Sequence, residues 1–109
     1  MKKLNIPLAE NGNYAWKNNG SKIRKMCDID AKDKLRESYN IIFPKECTCI
    51  TRSFLLGLFE DSIDSLGFNE TFEKYNIEFE TDNKELREIL INSLSDSINK
   101  IKKLYYVYK

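Results

Sequence analysis

Between Asn76 and Ile101 the apolar period changes from two to about four, and nothing else in the chain limits its fold as strongly. Ile77 and Phe79 alternate with polar neighbours in NIEFE, residues 76 to 80, as a half-buried strand requires. Leu86, Leu90, Leu94, Ile98 and Ile101 then recur at helical spacing and share one face. Between the two, Asp82 and Glu85 in DNKE have the spacing of a capping box, which predicts where the helix opens. A strand that runs at once into a long amphipathic helix is a building block of α/β layers.

The same switch is written twice upstream. KLNI, residues 3 to 6, predicts a short first strand, and the Pro, Gly and Asn content of PLAENGNYAWKNNG predicts a polar loop behind it, so residues 1 to 20 read as strand and loop. From Ser21, a natural N-cap, to Glu37, the spacing of Ile23, Cys27, Ala31 and Leu35 predicts one helix. YNIIF, residues 39 to 43, is a β-branched and aromatic run ended by Pro44, and predicts a second strand. ECTCIT either extends the sheet or connects it to the next helix. That helix spans Arg52 to Leu66, with Phe54, Leu55, Leu58, Phe59, Ile63 and Leu66 on one side and Gly67 as terminator. NETFEKY reads as a short helical turn. LYYVYK at the end reads as fraying helix or a last strand, its tyrosines covering core. The order predicts an α/β fold with helices packed on a small mixed sheet, and 109 residues make it a single domain, 1–109.

Composition narrows the function classes. A chain that is 41% hydrophobic is globular, and a net charge of +1 supplies no field to draw it onto nucleic acid or a membrane. Abundant Lys and Asn with no His read as the imprint of an A/T-rich genome, that of a low-GC bacterium or its phage. MKKLNIPLAE has the lysines of a signal-peptide start, but Pro7 and polar residues interrupt any apolar run, and no stretch approaches the roughly 20 apolar residues of a membrane span. The expected location is the cytoplasm, where Cys27, Cys47 and Cys49 stay reduced.

Without histidine there is no Ser-His or Cys-His pair and no ready general base near neutral pH. Cys47 and Cys49 fall short of a four-ligand zinc site, and alternation along a strand would turn both thiols to the core. No glycine-rich phosphate loop is present. The expectation is a protein that is not an enzyme and takes no cofactor or metal.

The candidate surfaces are few. Tyr14 and Trp16 either pin the polar loop to the core or form an aromatic patch for a partner. SKIRK sets Lys22, Arg24 and Lys25 in a first helical turn, as a solvated face or as a contact for an anion or acidic partner. On the helix from Arg52, Gly57, Glu60, Asp61 and Asp64 project from the polar side, solvated or facing a partner. Gly57 costs about 1 kcal/mol relative to alanine there, which close approach of a partner backbone would explain. Thr51 and Ser53 open that helix as caps or as residues acted upon, since a phosphate at this point would meet free N–H groups and the helix dipole.

NNGSKIRK, YNIIF, ITRSFLLGLFEDSIDSLG and FEKYNIEFETDNKELREILINSLSDSI together resemble the STAS-like domain of unknown function found in small bacterial proteins, a relative of the STAS domains of anti-sigma factor antagonists. The resemblance covers about residues 18 to 100 and is most specific from Ser53-Phe54 to Leu66-Gly67. Phe43-Pro44 stands where the family has an Asp-Phe pair, and Glu60 where it has a glycine. The resemblance implies a signalling module. A GHKL-type, kinase-like ATPase docks on such a domain and phosphorylates a serine at the start of the matching helix, and the added charge breaks the complex. By position the acceptor is Ser53, with Thr51 second, and the docking surface includes Arg52, Ser53, Gly57, Glu60, Asp61, Asp64, Tyr14 and Trp16. Two other functions fit the same chain: a phage or mobile-element protein that inhibits a host defence protein by stoichiometric binding, and a small-ligand or nucleotide-sensing domain.

Overall fold

In the computed structural model, which describes residues 1–107, the chain runs β1 (Lys2–Asn5), β2 (Asn13–Tyr14), α1 (Lys17–Met26), α2 (Ile29–Asp33), β3 (Tyr39–Phe43), β4 (Cys49–Ile50), α3 (Arg52–Leu66), α4 (Phe68–Lys74), β5 (Tyr75–Phe79) and α5 (Lys84–Val107). The α/β layer architecture is the one the sequence predicts. The sheets differ from expectation in one respect: both are parallel throughout rather than mixed. Helices return the chain between strands, and such crossovers leave neighbouring strands parallel.

The main sheet has the order β1-β3-β5. Its rows are Lys2, Tyr39 and Tyr75, then Leu4, Ile41 and Ile77, so side chains of one parity share a face. Tyr39, Ile41, Phe43, Tyr75 and Phe79 are buried on that face, under Phe54, Leu55, Leu58, Phe59 and Ile63 of α3. Lys3, Asn5, Asn76 and Glu78 on the other face are exposed. Tyr14 meets Phe43 edge-on at 5.0 Å and Phe54 at 5.4 Å, which ties β2 into the same core.

The loop predicted over residues 7 to 20 holds β2 and the first turn of α1. Two residues suffice for β2 because β4 pairs with it: Asn13 lies beside Cys49 and Tyr14 beside Ile50, and the ladder continues from Thr51 N–H to the Tyr14 carbonyl at 2.9 Å. Gly12 makes this approach possible. It sits at φ +68°, and a Cβ there would lie 1.9 Å from the Glu46 carbonyl oxygen. ECTCIT is therefore both strand and connection. Cys47 is fully buried and Cys49 exposed, which corrects the expectation that both thiols face the core; the strand proper begins only at Cys49.

The helix predicted from Ser21 to Glu37 is two helices, and Ser21 lies inside α1 rather than capping it. Asp28 breaks the run at φ 52°, after which Ile29 is buried while Ala31 and Leu35 are exposed. The cap of α5 is Asn83, whose Oδ1 accepts from Leu86 N–H at 3.1 Å, one residue beyond the Asp82 predicted. Leu90 and Ile101 of its apolar face are buried, and Tyr105 packs against the core. The LYYVYK expectation at Tyr108 and Lys109 lies outside the described residues. Among the described residues no helix is long and apolar enough to cross a membrane.

Candidate functional site

Helices α1 and α3 touch backbone to backbone. A Cβ on Gly57 would lie 2.0 Å from the Lys17 carbonyl oxygen, and one on Gly20 would lie 2.1 Å from that of Phe54. The side of α3 read from sequence as polar and open is thus covered by α1, and Gly57 is buried by its own chain, not left for a partner. Glu60, half-buried, takes Lys17 Nζ at 2.6 Å and fastens the two helices. Asp61 and Asp64 stay exposed farther along α3.

Arg24 is 5% exposed, which corrects its assignment to a solvated basic face; Lys22 and Lys25 do face solvent. Its guanidinium donates to the Leu58 carbonyl at 2.8 Å, to Ser62 Oγ at 2.7 Å, to Asp33 Oδ2 at 2.8 Å and, through Nε, to Asp30 Oδ1 at 2.9 Å. Asp33 also accepts from Tyr75 Oη at 2.6 Å and from Ser62. Burial alone would lower the Arg24 pKa, but the bonds to Asp30 and Asp33 outweigh it and the net direction is up. Every buried side-chain polar atom among the described residues has a partner, so the cluster ties α1, α2, α3 and β5 together without leaving a group free for chemistry.

Burial, then the Asp33 carboxylate, pushes the Tyr75 phenol well above its ordinary 10.0, and burial pushes the Cys47 thiol from 9.0 to about 11. Both protons are held more tightly in the folded than in the unfolded chain. Their contribution is complete below the unfolded values and is lost as pH rises past them. The urea midpoint is expected to hold from neutrality to pH 9.0, the ordinary thiol value, and to fall above it. In Tyr75→Phe the fall above about pH 10, the ordinary phenol value, is expected to be shallower.

The start of α3 separates two roles that the sequence left joined. Thr51 Oγ1 accepts from Phe54 N–H at 3.2 Å and is the cap. Ser53 is exposed, as is Arg52, and its hydroxyl makes no bond among the described residues. Thr51→Ala is expected to cost about 1 kcal/mol in equilibrium unfolding, and Ser53→Ala to stay within about 0.5 kcal/mol of wild type.

The β2–β4 ladder leads into both helices, which then cross, with Lys17 against Gly57 and Gly20 against Phe54. Tyr14 is 1% exposed; its hydroxyl donates to the Pro7 carbonyl at 2.7 Å and accepts from Ala9 N–H at 3.1 Å, so it pins the loop and offers no surface to a partner. Trp16 is its opposite: 72% exposed, at φ 73° and ψ 138°. It stands beside an open groove of about 580 Å³ lined by Ala9, Asn19, Lys22, Ile23 and Met26, with Met26 itself 67% exposed. Trp16 and the turn Thr51, Arg52 and Ser53 thus both follow the C-terminal end of the β2–β4 ladder, and Glu60, Asp61 and Asp64 lie farther along α3. Asn19, Ile23 and Met26 were missed as lining residues, although with Trp16 they follow helical spacing once the helix is started at Lys17. No family model matches the chain, and neither a curated protein nor a solved structure matches it.

Proposed function

We propose that this chain is a regulatory protein-binding module of the cytoplasm, without catalytic activity of its own, that receives a protein partner where α1 and α3 begin. The observation that carries the reading is Trp16. A bulky residue at positive φ costs on the order of 1–3 kcal/mol, and glycine would remove the cost, yet the large side chain is kept there and left in solvent. Trp and Tyr are the favoured anchors of protein interfaces, which gives the side chain a use that packing does not. Met26 and Ile23 extend the apolar strip into the groove.

Ser53 fits the regulatory part of the proposal. It is exposed on the first turn of α3, and Thr51 already holds the cap, so a phosphate would add charge at the docking surface without undoing the helix. The free N–H groups of that turn favour the phosphorylated form. The partner the STAS-like resemblance implies is a GHKL-type ATPase.

The experiment is a pull-down from the native cell with wild type, Ser53→Ala, Ser53→Asp and Trp16→Ala, with intact mass read on each recovered bait. An ATPase held by wild type and Ser53→Ala, lost with Ser53→Asp and with Trp16→Ala, and one phosphate on the wild-type chain are the expected results. A partner held equally by every Ser53 variant, with no added mass, would replace switching by stoichiometric inhibition. A partner indifferent to Trp16→Ala would remove this surface from the proposal.

A further inference from the structure

Strand β5 ends the sheet, and its outer edge has no partner among the described residues. In a parallel ladder only alternate residues face a given neighbour. Glu80 N–H donates to the Phe43 carbonyl at 3.0 Å, so Asn76 and Glu78 face β3 while Ile77 and Phe79 turn their backbone groups outward. Tyr75 N–H is spent on Thr71 of α4, which leaves its carbonyl outward. Ile77 lies level with fully buried Ile41 yet is itself only half-buried, because nothing stands beyond it.

From this edge we infer that the chain forms a two-fold dimer by antiparallel pairing of β5 with β5 of a second copy, centred on Ile77. This goes beyond the proposed partner docking and uses a different surface. About that centre the outward groups match themselves: Ile77 exchanges both backbone bonds with Ile77 of the second copy, and Phe79 N–H meets the Tyr75 carbonyl. On the exposed face Asn76, whose amide donates to Asn40 Oδ1 at 3.1 Å in its own chain, falls opposite Glu78 of the second copy, so the pairing sets a neutral amide and not a like charge against the carboxylate. A two-fold contact of this kind closes on itself and gives a dimer rather than a fibre. The other edge of the sheet opposes the same arrangement. Lys2 N–H is spent on Ser38, so Lys3 turns its backbone outward, and a two-fold pairing centred there would set Lys3 against its own copy; lysines on an edge strand are a common guard against pairing.

The test is sedimentation equilibrium of the full chain with Asn76→Glu, Asn76→Lys and Lys3→Glu, all changes at exposed side chains. Wild type is expected to be a reversible dimer. Asn76→Glu sets carboxylate against carboxylate and is expected to raise the dissociation constant roughly tenfold, because the two-fold axis counts the cross-strand pair twice. Asn76→Lys is expected to lower it, and Lys3→Glu to leave it unchanged. A wild-type chain that stays monomeric, a dimer in which the two Asn76 variants shift alike or not at all, or one that responds to Lys3→Glu would overturn the inference.

Discussion

Gly57→Ala is expected to destabilise the protein by about 3 kcal/mol or more, at or beyond the upper end of ordinary overpacking. The new Cβ would meet the Lys17 carbonyl oxygen at 2.0 Å and the Ser21 amide nitrogen at 2.9 Å, and neither is the end of a side chain that could swing away. Helix α1 would have to lift, taking with it the Lys17–Glu60 ion pair and the seat of Arg24. The sign is diagnostic. In an exposed helix the same change would stabilise by about 1 kcal/mol, because alanine has the better propensity. Gly20→Ala is expected to match it, since its Cβ would meet the Phe54 carbonyl at 2.1 Å. The double variant should lose less than the sum, because once α1 has lifted the second methyl has room. Urea midpoints of the three proteins check all of this.

Arg24→Met is expected to cost about 3–5 kcal/mol, the range for removing one member of a buried ion pair. Methionine fills much of the volume, so the loss is not a cavity effect. It arises because Asp33, with a side chain only 8% exposed, loses the guanidinium that balanced its carboxylate. Ser62 and the Leu58 carbonyl each lose a donor as well. Adding Asp33→Asn to Arg24→Met is expected to recover part of the loss, because a neutral amide oxygen still accepts from Tyr75 and no charge is stranded. A double-mutant cycle from equilibrium unfolding measures the coupling. Additive losses in the two single variants would mean that Arg24 and Asp33 act independently, contrary to their 2.8 Å contact.

What could be read before the structure, and what could not, follows from how far each signal reaches along the chain. The bounds of β3 and α3 were legible because one run of residues carries both the period and its stops, Pro44 and Gly67. The α1–α2 break was not, because Cys27 and Ile29 are both buried while Ala31, on the predicted face, is not; the left-handed turn at Asp28 resets the phase without a glycine or proline to announce it. Arg24 and Gly57 were misplaced for a common reason. Periodicity identifies the apolar face of α3, but it carries no notice that a second helix lies on the polar one, where a glycine and a buried arginine replace the usual apolar contact. Asp33 and Ser62 look like any surface pair until that arginine is seen. For the site, Trp16 and Ser53 stood out by residue type, whereas their placement after one shared ladder depends on the pairing of β2 with β4, two residues each, too short to show a period.

The strand order β1-β3-β5 is also the order of the chain. A nascent chain can therefore build this sheet outward from its first strand as synthesis proceeds, and no later strand has to be inserted between two that have already joined. The β2–β4 ladder obeys the same sequence, since β4 arrives just after β3 has docked on β1. The last strand to arrive, β5, is left at the rim.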